Sequence, residues 1–283
     1  MPEPMHIRNL QLDFGARTYV MGIVNMTPDS FSGDGLLAAG DPVRAAMAQA
    51  QRMVAEGADI IDVGGDSTRP GHESVDTAEE VSRVTAVVAG NRASMPGLPI
   101  SIDTSKPDVA AAALGAGADI VNDVTGVTAG AALAPIAAAH GAPYIVMHDR
   151  AVPADDDVVA ETVADLRQAL VQAEAHGCDR WSLIVDPGIG FGKTAEQNLV
   201  LLRNLSALRE LGRPVLLGTS RKSTIGKVLE LPEDERLEGT LATTALGIAA
   251  GVDIVRVHDV VANVRTARMS DAIIRGGWTE PQP

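Results

Sequence analysis

At 283 residues the chain is long for a β-sandwich and close to the roughly 250 residues of an α/β barrel; 46% hydrophobic content, 28 glycines and 2% aromatic residues predict a large aliphatic core. A formal net charge of -14 argues against nucleic acid or anionic membrane as partners, so an anionic substrate must meet a local cluster of basic side chains. The lone cysteine, Cys178, excludes an intrachain disulfide framework, and with no leader-like start and no apolar run of about 18 residues the expected location is the cytoplasm.

The first segment, "HIRNLQLDFGART", reads as an extra hairpin placed to plug one end of a barrel. From there short aliphatic runs recur, each bounded by Gly or Pro and each ending in polar residues. In order they are "TYVMGIVNMT", "ADIIDVGGDST", "LPISIDTS", "ADIVNDVTG", "PYIVMHDR", "SLIVDPGIGFG", "PVLLGTSRKS" and "VDIVRVHD". Continuous apolar runs without strict alternation predict strands buried on both faces, as in a parallel sheet. Between them lie Ala-rich helical segments closed by Gly, such as "DPVRAAMAQAQRMVAEGA", "KPDVAAAALGAGA" and "ERLEGTLATTALGIAAG". The acidic "AVPADDDVVAE" reads as a solvated helix start. Eight strand–helix alternations without a compositional break predict one (β/α)8 TIM-barrel domain over residues 1–283, with an open doubly wound sheet as the rival.

Polar residues at the C-terminal ends of barrel strands converge on one mouth. Every predicted strand supplies some: Asn25, Asp62 to Arg69, Asp103, Asn122 with Asp123, His148, Asp186, Ser220 to Ser223, and Arg256 with His258. One of these ends, "DPGIGFGKT", superficially resembles a phosphate-cradling P-loop. The spacing fails, because Pro187 stands where the first glycine belongs, and proline lacks the N–H that would face phosphate. The carboxylate of Asp186 would also repel the anion.

Taken together, "MGIVNMTPDSFSGDG", "DIIDVGGDSTRPG", "SIDT", "IVNDVTG", "DPGIGFGKT", "GTSRKS" and "VRVHDV" resemble the dihydropteroate synthases, pterin-binding (β/α)8 barrels of folate biosynthesis. The similarity runs in order from about Val20 to Val260. It implies condensation of 6-hydroxymethyl-7,8-dihydropterin diphosphate with 4-aminobenzoate, release of diphosphate, a requirement for Mg2+, a homodimer, and a target for sulfonamides that mimic aminobenzoate.

The same resemblance implies roles for residues. Asp103, Asn122, Asp186 and Lys222 bind pterin; Phe31, Thr68, Pro70, Phe191 and Ser223 shape the aminobenzoate pocket. Asn25, Thr68, Arg69, Arg256 and His258 hold diphosphate, Asn25 beside the metal. Asp103, Lys222, Arg256 and His258 form the catalytic set. These roles suit the residue types: a carboxylate offers two coplanar acceptors to the paired donors of a pterin edge, and departing diphosphate calls for cations. Arg221 reads as a structural salt-bridge partner, Asp123 and Asp62 as carboxylates that only satisfy backbone N–H groups, and His148 as a core histidine holding a carbonyl. Asp259 reads as a helix cap, and Lys193 and Thr194 as the start of a helix. Two departures stand out, the displaced acidic residue Asp34 in the first loop and Asp66 where Glu is usual. A pterin-dependent methyltransferase and a catalytically silent pterin-binding paralogue are the competing functions.

Overall fold

The computed structural model describes residues 3–26, 41–66, 75–276 and Trp278. Two short strands, β1 (Met5–Ile7) and β2 (Leu10–Leu12), pair antiparallel as the expected hairpin. Eight parallel strands follow: β3 (Tyr19–Asn25), β4 (Ile60–Gly64), β5 (Ile100–Thr104), β6 (Ile120–Asp123), β7 (Tyr144–Met147), β8 (Leu183–Asp186), β9 (Leu216–Leu217) and β10 (Ile254–Val257). Their order is β8-β7-β6-β5-β4-β3-β10-β9, and a parallel bridge between Val185 and Val215 joins the two ends into a barrel. The rival open sheet is thereby excluded. Around it lie α1 (Pro42–Ala55), α2 (Thr77–Ser94), α3 (Pro107–Ala116), α4 (Ala134–His140), α5 (Val158–Ala175), α6 (Ala195–Arg203), α7 (Ser223–Leu229), α8 (Leu237–Ala249) and α9 (Val260–Ile274).

Helix starts follow from capping chemistry. Asp41 accepts from the N–H groups of Val43 and Arg44 ahead of Pro42, and Asp157, in the acidic stretch, does the same for Val159 and Ala160. Thr194 and Gln197 form a reciprocal capping box. Cys178 is buried, its thiol pushed up to about 11 by desolvation, in keeping with a packing residue.

The strands are buried on both faces, but a period of two runs through them. Ile61, Val121, Val185 and Val255 join the cluster that packs beneath the helices. Their neighbours Ile60, Ile120, Ile184 and Ile254 join a second cluster with Tyr19, Met21, Ile145 and Leu216 inside the barrel. The hairpin contributes Met5, Ile7 and Leu12 to that inner cluster, and Phe14 meets Tyr19 edge-to-face. Because Tyr19, Ile60, Ile120 and Ile254 begin or nearly begin their strands, the plug sits at the N-terminal end. Two residues further along β4, β6, β8 and β10 the same inward line carries Asp62, Asn122, Asp186 and Arg256. Four alternate strands supplying one layer is the packing rule of this barrel, so the apolar layer is capped by a polar one facing the C-terminal mouth.

Candidate active site

Charge pairing organises the polar layer. Arg256 donates from Nε to Asp62 Oδ2 at 2.6 Å and from Nη2 to Asp103 Oδ2. Asn122 Nδ2 donates to the same Asp62 oxygen at 3.1 Å. Asp62 is fully buried, so a lone carboxylate there would be costly without these partners. Its placement corrects the expectation that Asp62 only satisfies backbone N–H groups: it braces both Arg256 and Asn122. One guanidinium facing two carboxylates leaves an excess of negative charge. Burial, opposed by Arg256 and reinforced by Asp62, raises Asp103 to about 7. Asp62 Oδ1 and Asp103 Oδ1 are buried with no partner among the described residues.

Asp186 closes β8. Its Oδ1 accepts from Gly188 N at 2.7 Å, while burial raises its pKa against that bond and against the nearby charges of Lys222, Arg256 and Lys193. Gly218, immediately after β9, has no side chain to fill the space between Asp186 Oδ2 and Arg256; a Cβ there would stand 3.9 Å from each. Only glycine fits at 188, where φ is +64° and a Cβ would fall 1.9 Å from the carbonyl oxygen of His148. The chain therefore folds back against the end of β7 and presents Phe191. Lys222 places its ammonium 4.0 Å from the centroid of that ring.

Lys193 does more than begin a helix. Its Nζ donates to the carbonyls of His148 at 3.0 Å, Phe191 at 3.1 Å and Gly188 at 3.2 Å. His148 is buried as expected, but its ring faces a carboxylate rather than a carbonyl, with Nε2 3.0 Å from Asp165 Oδ2. Desolvation lowers its pKa to about 4, which makes the ring neutral near pH 7 with the proton on Nε2 and a bare acceptor at Nδ1.

Beyond the ends of β9 and β10, His258 Nδ1 lies 3.0 Å from Ser220 Oγ, and the same hydroxyl accepts from His258 N. Arg221, at φ +58°, pairs with Asp259 at 2.6 Å, the structural salt bridge expected of it. Asp259 occupies the cap position of α9 but spends its side chain on Arg221 rather than on a cap bond. Asp123 accepts from the N–H and hydroxyl of Thr125, and from Tyr144 at 2.5 Å, which keeps it structural. Ser223 is the exposed first residue of α7. Asn25 ends β3 beside Gly64, its Oδ1 3.4 Å from where a Cβ on that glycine would stand and near the Asp103 carboxylate.

Phe31, Thr68, Arg69 and Pro70, with Asp34, lie outside the described residues. Their flanks are described. Lys106 Nζ donates to Asp66 Oδ2 (3.2 Å), the Val75 carbonyl (2.7 Å) and Glu80 Oε2 (2.7 Å), while Asp66 also accepts from Val75 N (3.2 Å). Asp66, the departure noted in the sequence, is thus tied to both Val75 and Lys106. The roles of Asp62, Lys106 and Lys193 went unread because each depends on a partner distant in sequence. For Asp62 a signal existed: "IID", "IVN", "IVD" and "IVR" repeat an isoleucine with a polar residue two positions on, at matching points of four strands.

The mouth therefore joins hydrogen-bonding carboxylate and amide groups to a paired guanidinium, an ammonium and an imidazole in a largely desolvated layer. Such a set can read a flat polar heterocycle and neutralise an anion beside it. Comparison with known proteins agrees. Residues 21–258 match the model of the pterin binding enzyme family. The dihydropteroate synthase of Clostridium beijerinckii is 45% identical over 96% of this chain and 100% of its own length. The crystal structure of a dihydropteroate synthase from Clostridium difficile in the presence of pteroic acid superposes with a TM-score of 0.86 at 47% identity, covering 93% of this chain and 99% of that one. The Xanthomonas albilineans dihydropteroate synthase with 4-aminobenzoic acid gives a TM-score of 0.86 at 42% identity, over 94% of this chain and 95% of that one.

Proposed function

The chain belongs to the pterin binding enzyme family, and from that and from the mouth of its barrel we propose that its reaction is that of a dihydropteroate synthase. It joins 6-hydroxymethyl-7,8-dihydropterin diphosphate to 4-aminobenzoate, forming 7,8-dihydropteroate and diphosphate. The observation that carries the site assignment is the buried polar layer of Asp62, Asn122, Asp186 and Arg256 with Asp103 beside it.

In this reading Asp186 turns Oδ2, which makes no hydrogen bond among the described residues, toward the donor pair of the pterin edge. Asn122 covers a mixed donor–acceptor edge with its amide, and Lys222 adds a donor above the ring. The methylene–oxygen bond breaks with its electrons leaving on diphosphate, and the dihydropterin ring donates into the methylene carbon. Asp103, as a carboxylate, opposes the positive charge that develops there. Arg256, His258 and Arg69 meet the growing charge of the leaving group, with Asn25 and Thr68 as neutral donors. The amine of aminobenzoate attacks the methylene carbon and gives up a proton to diphosphate or solvent, with Phe191, Phe31, Thr68 and Pro70 assigned to its ring and Ser223 to its carboxylate.

The donor chemistry at Asn25 fits a magnesium ion that takes most of its ligands from substrate: a single amide oxygen stands at a strand end near Asp103. Asn25 would hold the ion, which when bound supplies positive charge against the departing diphosphate. The reading also includes a cytoplasmic location and a homodimer. Support for the dimer comes from exposed apolar side chains on adjacent helices, Leu246 on α8 and Val261, Met269 and Ile273 on α9, the last three spaced along one face.

The test is an assay of purified protein with both substrates and Mg2+, measuring dihydropteroate and diphosphate together. Equimolar formation of both, abolished by chelation, supports the reading; a rate indifferent to chelation removes the metal from it. No coupled product at all overturns it. Light scattering decides the oligomer, a monomeric mass at micromolar concentration ruling out the dimer.

A further inference from the structure

Lys193 lies at the end of the pterin-facing loop, and its ammonium satisfies all three of its donors on main-chain carbonyls. Among the described residues it forms no ion pair. Two of the carbonyls, Gly188 and Phe191, belong to the loop after β8, and the third, His148, immediately follows the neighbouring strand β7. Each is one step from a group that faces the ligand. Gly188 N holds Asp186 Oδ1, His148 N donates to the Asp186 carbonyl at 2.9 Å, and the Phe191 ring lies under the Lys222 ammonium. Asn198 pins the middle of the same loop by accepting from Gly190 N at 2.9 Å.

From this geometry we propose that Lys193 is a positioning residue, a three-point staple that sets the Asp186 carboxylate and the Phe191 ring in one register across both substrate pockets. The proposal rests on the reading above, in which Asp186 meets pterin and Phe191 meets aminobenzoate. A carbonyl-bound ammonium suits this task better than a carboxylate-bound one, because its three partners are backbone points whose relative positions define the loop. Loss of the staple leaves the loop attached through Asn198 and the Gly188–Asp186 bond but free to displace Phe191 and loosen the rotamer of Asp186.

Lys193→Met retains the apolar stem and removes the donors. The expected result is a pterin dissociation constant raised about tenfold by calorimetry, a KM for aminobenzoate raised by a similar factor, and kcat at saturation changed less than threefold. Both constants within twofold of the wild type, in a variant that is folded by circular dichroism, overturn the proposal even if its melting temperature has dropped. Asp186→Asn runs alongside as the control. Weakened pterin binding in that variant with unchanged constants in Lys193→Met defeats the staple alone, whereas unchanged pterin binding in Asp186→Asn defeats the underlying site assignment.

Should Lys193→Met not fold, the wild type carries the test. Desolvation pulls the Lys193 ammonium down to about 8, against the attraction of Asp186, Asp149 and Asp165 and with Arg150 adding repulsion; neutral His148 and Lys222 complete the surrounding groups. The charged staple is intact below that value and loses one donor above it, so pterin affinity should fall severalfold between pH 7 and pH 9.5. An affinity constant across that range overturns the proposal.

Discussion

Asp103 is one of two carboxylates sharing Arg256, and the pH dependence of the reaction should show it. Burial raises its pKa to about 7, Arg256 draws it down, and Asp62 pushes it up. If its carboxylate form supports the chemistry, kcat/KM should be full above that value and fall as pH drops through about 7. Replacing Asp62 by Asn removes the repulsive neighbour and leaves Arg256 more completely to Asp103. Both effects favour the ionised form, so the acidic limb should shift to lower pH. Profiles of the wild type, Asp62→Asn and Asp103→Asn decide the matter: a limb that persists in Asp103→Asn belongs to another group. Asp186→Asn should weaken pterin binding by about 1–3 kcal/mol, because an amide hydrogen would then face a ligand donor. Calorimetric affinity equal to that of the wild type would remove Asp186 from the pocket.

Helices and strands around the site are tied by a few ionic contacts, of which Lys106 is the most consequential. Glu80 on α2 is 1% exposed, and its carboxylate is held by Lys106 at 2.7 Å and by Thr104 Oγ1 at 3.1 Å. Lys106 precedes α3, Thr104 ends β5, and Asp66 follows β4, so one ammonium joins three neighbouring units at the mouth. Removing one partner of a buried pair strands the other in low dielectric, at a cost of about 3–5 kcal/mol. Lys106→Met should therefore lower the denaturant midpoint by a corresponding amount. Because Glu80 is then the offending group, Lys106→Met combined with Glu80→Gln should recover much of the loss. An additive double variant would show that the two side chains act independently.

At the scale of the whole molecule the barrel is closed at one end and chemically equipped at the other. Leu12 of the hairpin is completely buried against the inner isoleucine layer, so the plug is part of the core rather than an appendage. Leu12→Ala should destabilise the protein by about 2–5 kcal/mol, the range for a buried leucine whose cavity cannot collapse. With the pterin site assigned to the far end as proposed, pterin affinity should change little. Urea unfolding and calorimetry on one preparation test both halves of this expectation; a large loss of affinity would mean that the two ends are coupled through the inner layer.

The order of elements and the mouth at which polar residues gather were legible in the linear chain, because strand length, helix punctuation and polar strand ends are local properties. The motifs around Asp103, Asn122, Asp186, Lys222 and Arg256 likewise carried their family resemblance without a fold. Pairing was not legible. That Asp62 braces Arg256, 194 residues away, depends on β4 and β10 flanking β3 in a closed ring. That Lys193 binds the carbonyl of His148 depends on β7 lying beside β8 and on the left-handed turn at Gly188. Residue type and spacing determine which groups stand at the strand ends. Which of them neutralise one another, and which remain to meet a ligand, is decided by barrel closure, since only that brings charges from distant strands within hydrogen-bond reach in a largely buried layer of low dielectric.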